Sequence, residues 1–460
     1  MYDTGSVPYF PFACRYEEGD WIIRNPLNKQ ERRINISAYR LLHHCNGSHT
    51  WGEIVHELAT KYQDSESSIH AQAEPFLSAL TKEGMLWWSG QTIAWWPQPP
   101  PVFILWNITN RCNLRCLHCA VGSGAPGNDE LSLEQCKKFI DDVAAYGVTY
   151  LILSGGEPLI RRDFFSIADY AYEKGITFQL ATNGTLITKE KARHLASLEA
   201  CAHVSLDAVN PETHDKFRQS SGAWKRTTEG IRHLVDAGVP VIVGAVVTRM
   251  NIHEIPDLYR FSETLGDVTF RILPFIPYGR GKDQQDLEVT PEEMRTLTAP
   301  LLEMKKTMKT DLVSMEFECT FGQPLLDRPD PHTHIGCAGA VSYCEVMADG
   351  QVFPCSFFDG VKTENIRDIP FPWIWENSRF LNYFRSLTIS DIKGSCQKCD
   401  WLSLCRGSCI AANFVHGDIF QSNCHCWLVY EQYLKEHASR KPAVPYNRKK
   451  NRNTRASARS

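Results

Sequence analysis

Apolar and polar positions alternate with two different periods along this chain. From residue 102 to about 275, short apolar runs rich in β-branched residues recur between longer stretches of 3.6-residue periodicity. The runs Phe103–Ile108, Tyr150–Leu153, Phe178–Thr182, His203–Leu206, Val241–Val247 and Val268–Ile272 predict strands. The stretches near 132–146, 163–174, 188–199, 226–237 and 254–265 predict helices. Six such repeats predict a parallel sheet, either open or curved into a partial barrel. In a barrel, the loops after the strand C-termini build the site.

Residues 1–98 read differently. Trp21-Ile22-Ile23 and Arg33-Ile34-Asn35-Ile36 predict short strands, and Ser37 is placed to cap a helix through Ala38–Leu42. Asn46-Gly47 breaks that helix. Thr50 caps a second carrying Ile54, Val55 and Leu58, and a third carries Phe76, Leu77 and Leu80 before Gly84. Aromatic strands are expected at Trp87-Trp88 and Trp95-Trp96, giving a winged helix-turn-helix outline. Pro97-Gln98-Pro99-Pro100-Pro101 then predicts a stiff linker. A helix is expected around 291–309, a cysteine-dense region over 337–430, and a disordered basic tail from Arg440, with eight Lys or Arg and no acid.

Charge narrows the classes. The chain of 460 residues has a formal net charge of −4, and residues 1–98 hold 8 Lys/Arg against 11 Asp/Glu. That balance is the reverse of what phosphate binding requires, so the winged outline does not imply a nucleic-acid partner. No run of apolar residues reaches membrane-spanning length. Seventeen cysteines with no export signal point to a reducing cytoplasm rather than a disulfide framework.

The cysteines are clustered. Cys112, Cys116 and Cys119 follow the first predicted strand directly, in Cys-x3-Cys-x2-Cys spacing. Three thiolates leave one iron of a cubane open, whereas a structural cluster takes four. A partial zinc site is the alternative, but no nearby fourth ligand completes a tetrahedral set. Ser154-Gly155-Gly156-Glu157-Pro158 follows the second strand, where glycines permit close backbone approach. Farther on come Cys337-x12-Gly350-x4-Cys355, then Cys396-x2-Cys399-x5-Cys405-x3-Cys409 and a later cysteine. A zinc ribbon would also use Cys396-x2-Cys399.

The cysteine triad and the Gly-Gly-Glu-Pro run resemble the radical S-adenosylmethionine superfamily, and the later cysteines resemble its SPASM extension. The resemblance implies a partial (β/α)6 barrel over 102–320, a cluster-binding domain over 321–435 and a tail over 436–460. It implies S-adenosyl-L-methionine and three [4Fe-4S] clusters. Cys112, Cys116 and Cys119 would hold the first. Cys337, Cys344, Cys355 and Cys409 would hold one auxiliary cluster, and Cys396, Cys399, Cys405 and Cys426 the other, with Cys424 competing for the last place. Gly155, Gly156, Glu157 and Pro158 would line the methionine moiety, with Ser205 near it and Arg218 pairing with its carboxylate. Thr182-Asn183-Gly184 and Ser205-Leu206-Asp207 fall where the family places strand ends, although Asp207 can equally cap a turn and Arg218 form a surface ion pair.

Residues 1–98 resemble the peptide-recognition domain of ribosomal-peptide maturases, which takes a leader peptide as an added strand. Together these resemblances imply oxidative crosslinking of a precursor peptide, foremost sulfur-to-carbon thioethers, through a 5′-deoxyadenosyl radical. Flavodoxin or ferredoxin would supply the electron. Side-chain oxidation of sulfatase-maturation type, tetrapyrrole oxidation and a non-enzymatic regulator are the rival readings. Cys136 and Cys201 read as core thiols, and Gly279-Arg280-Gly281 as a flexible basic turn open to substrate.

Overall fold

The computed structural model describes residues 4–6, 8–10, 14–17, 20–24, 31–45, 49–83, 85–88, 99–124, 129–314, 334–358, 361–400, 402–422 and 426. Asn46-Gly47, Gly84, Trp95-Trp96, Cys319, Cys424 and the basic tail lie outside them.

The N-terminal part has its own core, built from Ile23, Ile34, Leu42, Trp51, Leu77 and their neighbours. Strands β1 (Pro8–Tyr9), β2 (Cys14–Glu17), β3 (Asp20–Arg24) and β4 (Glu31–Ile34) precede helices α1 (Ile36–His44), α2 (Trp51–Tyr62) and α3 (Glu66–Lys82), then β5 (Trp87–Trp88). β2, β3 and β4 form an antiparallel sheet with β4 at one edge, and β1 pairs with β5 as a separate ribbon. Thr50 caps α2 in a capping box with Glu53, as its sequence predicts. The cap of α1 differs from expectation. Asn35, not Ser37, accepts the Ala38 N–H, so β4 stops at Ile34 and Ser37 falls in the first turn. Asn is among the strongest N-caps and stands first in the chain.

The rest of the described chain shares one continuous core. β6 (Phe103–Thr109), β7 (Tyr150–Gly155), β8 (Thr177–Thr182), β9 (Cys201–Ser205), β10 (Val241–Val247) and β11 (Val268–Pro274) lie side by side in sequence order, all parallel. Helices α4 (Leu133–Tyr146), α5 (Phe164–Glu173), α6 (Lys189–Ser197), α7 (Pro211–Arg218), α8 (Ala223–Asp236) and α9 (Ile255–Glu263) connect them. α10 (Pro291–Lys305) leads to a seventh parallel strand, β12 (Leu312–Ser314), which is too short to announce itself by periodicity.

The cysteine-dense region does not stand apart. Its β13 (Tyr343–Val346) pairs in parallel with β6, and β14 (Val352–Phe353) pairs with β13, so the sheet grows on its other edge. Buried Phe358, Phe371, Trp375 and Phe384 join the same core as the barrel strands.

One face of the barrel sheet carries Ile104, Trp106, Leu151, Leu153, Phe178, Val204, Val243 and Phe270, all buried under the helices. On the opposite face, His203, Ser205 and Arg271 are only half-buried. Strand periodicity thus separates an apolar outer layer from a lumen face where His203, Ser205 and Arg271 stand among half-buried Leu105, Ile152, Ile242 and Leu273.

Candidate active site

The site is built on the loop that leaves β6. Gly156 N donates to Thr109 O and Glu157 N to Arg111 O, each at 2.8 Å. The glycines are what allow this approach. A Cβ on Gly155 (φ +125°) would lie 2.2 Å from Thr109 O, and one on Gly156 would lie 2.1 Å from Arg111 O. The Gly-Gly-Glu run therefore packs against the backbone of the cysteine loop itself.

Glu157 is fully buried. Its carboxylate accepts from Thr182 Oγ1 at 2.8 Å, Asn183 N at 2.8 Å and Leu159 N at 3.2 Å. Burial pushes its pKa up against these donors. The side chain thus joins the ends of β7 and β8. Pro158 opens a short 3-10 turn and is buried beside it.

Other elements hold the same loop. Asn183 Nδ2 donates to Asn113 Oδ1 at 2.9 Å, and Leu117 N donates to Phe217 O at 3.0 Å. Glu130 accepts from Asn110 N at 2.8 Å. The turn Gly279–Asp283 supplies the farthest tie: Arg280 N donates to Cys119 O, Arg280 Nε to Cys116 O, both at 2.9 Å, and Nη2 to Ser123 O at 2.8 Å. A Cβ at Gly279 (φ +54°) would lie 2.1 Å from Ala120 O. Gly279-Arg280-Gly281 is therefore a clasp on the cysteine loop, not the flexible substrate-facing turn its composition suggests. β6 and β11 are five strand spacings apart, roughly 24 Å if the sheet were flat. Their loops meet because the sheet curls.

Cys112, Cys116 and Cys119 are half-buried free thiols within electrostatic reach of one another. Burial pushes the Cys112 thiol up to about 11, and raises Cys116 against the lowering pull of Arg218. Arg218, at the end of α7, is buried; its Nε donates to Asp207 Oδ2 at 2.6 Å and its Nη1 approaches Cys116 Sγ at 3.6 Å. The surface ion pair considered from sequence is in fact a buried one. His118 stacks on Phe217 with ring centroids 4.2 Å apart and planes 5° apart. Ser205 ends β9, level with Gly244 of β10 and Arg271 of β11.

The later cysteines sort into two groups. Among the described residues, Cys337 and Cys409 lie within electrostatic reach of Cys355, and Cys396, Cys399 and Cys426 within reach of Cys405. Cys344 lies apart from the first group. On β13, successive side chains alternate faces. Glu345 points toward Asn107 (2.5 Å), the Ser356 N–H (2.6 Å) and Cys355, so Cys344 turns the other way into the core, beside Arg385. Between Cys405 and Cys409, Arg406, Gly407 and Ser408 have φ of 51°, 83° and 57°. This left-handed run costs about 1 kcal/mol or more at each non-glycine residue, and it aims two neighbouring cysteines at different groups.

Among the described residues, no three His, Cys, Asp or Glu side chains close on a single ion. A cubane asks instead for one thiolate at each iron corner. The triad, with free thiols on a loop tied at both ends, suits that demand. Cys136, by contrast, is a core thiol beside Arg161, and Cys201 meets the Tyr150 hydroxyl at 3.2 Å. Sequence reasoning missed Glu130 as part of this assembly, and it noticed Arg280, set between two glycines, without its tie to the cysteine loop.

Comparison with known proteins agrees with this geometry. The family model for the radical SAM superfamily matches residues 106–262, that for the SPASM iron-sulfur cluster-binding domain residues 330–400, and that for coenzyme PQQ synthesis protein D residues 26–86. An AdoMet-dependent heme synthase of Methanosarcina barkeri is 36% identical over 345 residues, covering 71% of this chain and 96% of that protein. The mycofactocin maturase MftC of Mycolicibacterium smegmatis is 33% identical over 324 residues, covering 69% of this chain and 80% of that protein. The crystal structure of Streptococcus suis SuiB bound to S-adenosylmethionine shares the fold at 17% identity, with a TM-score of 0.59 over 89% of this chain and 98% of SuiB. The chain belongs to the radical SAM superfamily, as an enzyme with a C-terminal SPASM domain and an N-terminal PqqD-like domain.

Proposed function

We propose that this enzyme oxidatively modifies a ribosomally made precursor peptide, whose leader docks on the N-terminal domain. The observation that carries the reading is a cleft lined by Arg32, Arg33, Ile34, Asn35, Ala38 and Phe76. It lies beside β4, an edge strand whose outer side pairs with no other described strand. An extended peptide can add to such an edge, with main-chain hydrogen bonds giving affinity and the cleft taking alternate side chains. SuiB, whose structure is also known with its precursor peptide SuiA, shares the fold.

Cys112, Cys116 and Cys119 would hold a [4Fe-4S] cluster that, when loaded with S-adenosyl-L-methionine, supplies one-electron cleavage and hydrogen abstraction. Cys337, Cys355 and Cys409, and Cys396, Cys399, Cys405 and Cys426, would hold two auxiliary clusters. Gly155, Gly156 and Pro158 would shape the wall beside the methionine moiety, and Ser205 the lumen side. Glu157 would act by fixing this wall, since its carboxylate is already used within the protein. The lumen would orient the substrate and exclude bulk water. Two auxiliary clusters able to accept electrons would suit a net two-electron product, and a Cys thioether is the bond we infer. A flavodoxin or ferredoxin would act as donor.

Co-expression with any short precursor peptide encoded beside the gene tests this. The product should lose two hydrogens per bond, and deletion of residues 1–98 should weaken peptide binding while leaving formation of 5′-deoxyadenosine intact. Undiminished modification by the truncated enzyme would sink the leader assignment. Tetrapyrrole oxidation is the second reading, favoured by the 36% identity to the Methanosarcina barkeri heme synthase. Turnover of an iron-coproporphyrin, with none of the peptide, would establish it instead.

A further inference from the structure

The two buried charges beside the cysteine triad have a role that cofactor binding does not explain. Arg218 commits Nε to Asp207 and Nη1 to the sulfur of Cys116. Asp207 is itself fixed: Oδ1 accepts from Val246 N at 3.2 Å, and its carbonyl accepts from Asn251 Nδ2 at 2.7 Å. His214 Nδ1 accepts the Asp207 N–H at 3.2 Å, which leaves that nitrogen without a proton. Of the other arginines at the loop, Arg280 spends its guanidinium on the carbonyls of Cys116 and Ser123, Arg111 lies 3.9 Å from Glu130, and the Arg115 guanidinium lies against Gly124. Arg218 thus places a cation against a triad sulfur, and Asp207 is its counterion.

We propose that the Arg218–Asp207 pair sets the reduction potential of the triad cluster through the Arg218 contact with the Cys116 sulfur. Reduction adds one electron to the cluster and therefore negative charge to its thiolates. A hydrogen-bond donor and a positive charge at one of them favour the reduced state, and the adjacent carboxylate opposes it. Both side chains are buried, so solvent screens them little. Arg218 is a positioning residue here, acting through Cys116. The inference needs only that the triad hold a cluster and is independent of what the substrate is.

The test is a potentiometric titration of the anaerobically reconstituted full chain, followed by electron paramagnetic resonance. Arg218→Met should lower the midpoint potential of the triad cluster. Asp207→Asn, which frees the guanidinium of its counterion, should raise it. Arg218→Lys, keeping charge without the planar fork, should fall between Arg218→Met and the unaltered enzyme. The auxiliary signals serve as the internal control and should not move. Midpoints unchanged in both Arg218→Met and Asp207→Asn, shifts of the same sign, or auxiliary signals moving in parallel would overturn the proposal. Should Arg218→Met assemble no triad cluster, the sign of the Asp207→Asn shift decides. Failure of the unaltered chain to bind any triad iron would instead strike at the cluster assignment.

Discussion

Gly156 lies so close to Arg111 that a methyl group on it would sit 2.1 Å from the Arg111 carbonyl oxygen. That oxygen is also the acceptor for Glu157 N. Substitution at Gly156 must therefore move the segment that leads into Cys112. Gly156→Ala is expected to lose the triad iron, roughly four of about twelve irons if each set holds a cubane. Formation of 5′-deoxyadenosine should fall at least about 100-fold, since misplacement of order 1 Å at a reacting centre costs that much. Iron analysis and anaerobic cofactor cleavage check both.

Glu157→Ala removes the acceptor for three donors: the Thr182 hydroxyl and the Asn183 and Leu159 N–H groups. Leaving buried donors unmet costs about 1–3 kcal/mol each, so a loss of about 3 kcal/mol or more is expected. Urea denaturation of the cluster-free protein measures it. Glu157→Gln keeps one acceptor oxygen and should recover part of the loss. If Glu157 served only to bind the cofactor, neither substitution would change the stability of the empty protein.

Arg280→Ala should release the cysteine loop on its far side, removing donors to Cys116 O and Ser123 O while sparing the backbone bond to Cys119 O. Chelators should then strip the triad iron several-fold faster, with iron at the auxiliary sets unaffected. Time-resolved chelation, with the two classes of iron separated by their spectra, gives the answer.

The six barrel strands were legible because each joins an apolar run to a clear end, and the structure keeps all six in chain order. The triad and the Gly-Gly-Glu-Pro run were legible because their spacing is diagnostic. What escaped the sequence depends on the curl of the sheet. Arg280 is more than 150 positions from Cys116 in the chain, and no local pattern announces that their loops meet. Cys344 is the opposite case: cysteine count suggested a ligand, whereas strand alternation, set by the parity of Glu345, decides which way it faces. Asp207 and Arg218 were visible as residues but not as a buried pair, because burial at the end of α7 comes from the tertiary fold.

His203 lies in the barrel lumen, where a Cβ on Gly244 would be 2.0 Å from its Nε2. Although the residue as a whole is half-buried, desolvation of its ring, and then the nearby charge of Arg271, lowers its pKa to about 3. An unfolded chain would hold that proton near pH 6.5. The folded state therefore binds it more weakly, and the stability tied to the neutral ring is complete above pH 6.5. It is lost as pH falls from 6.5 toward 3, at up to about 1.4 kcal/mol per pH unit. His203→Gln should flatten this part of the stability profile of the cluster-free protein, and the ring resonances of His203 should show no titration above pH 4. A ring that titrates near pH 6.5 would mean that the lumen is open to bulk water. It would then offer the lumen no means of keeping water from a reacting substrate.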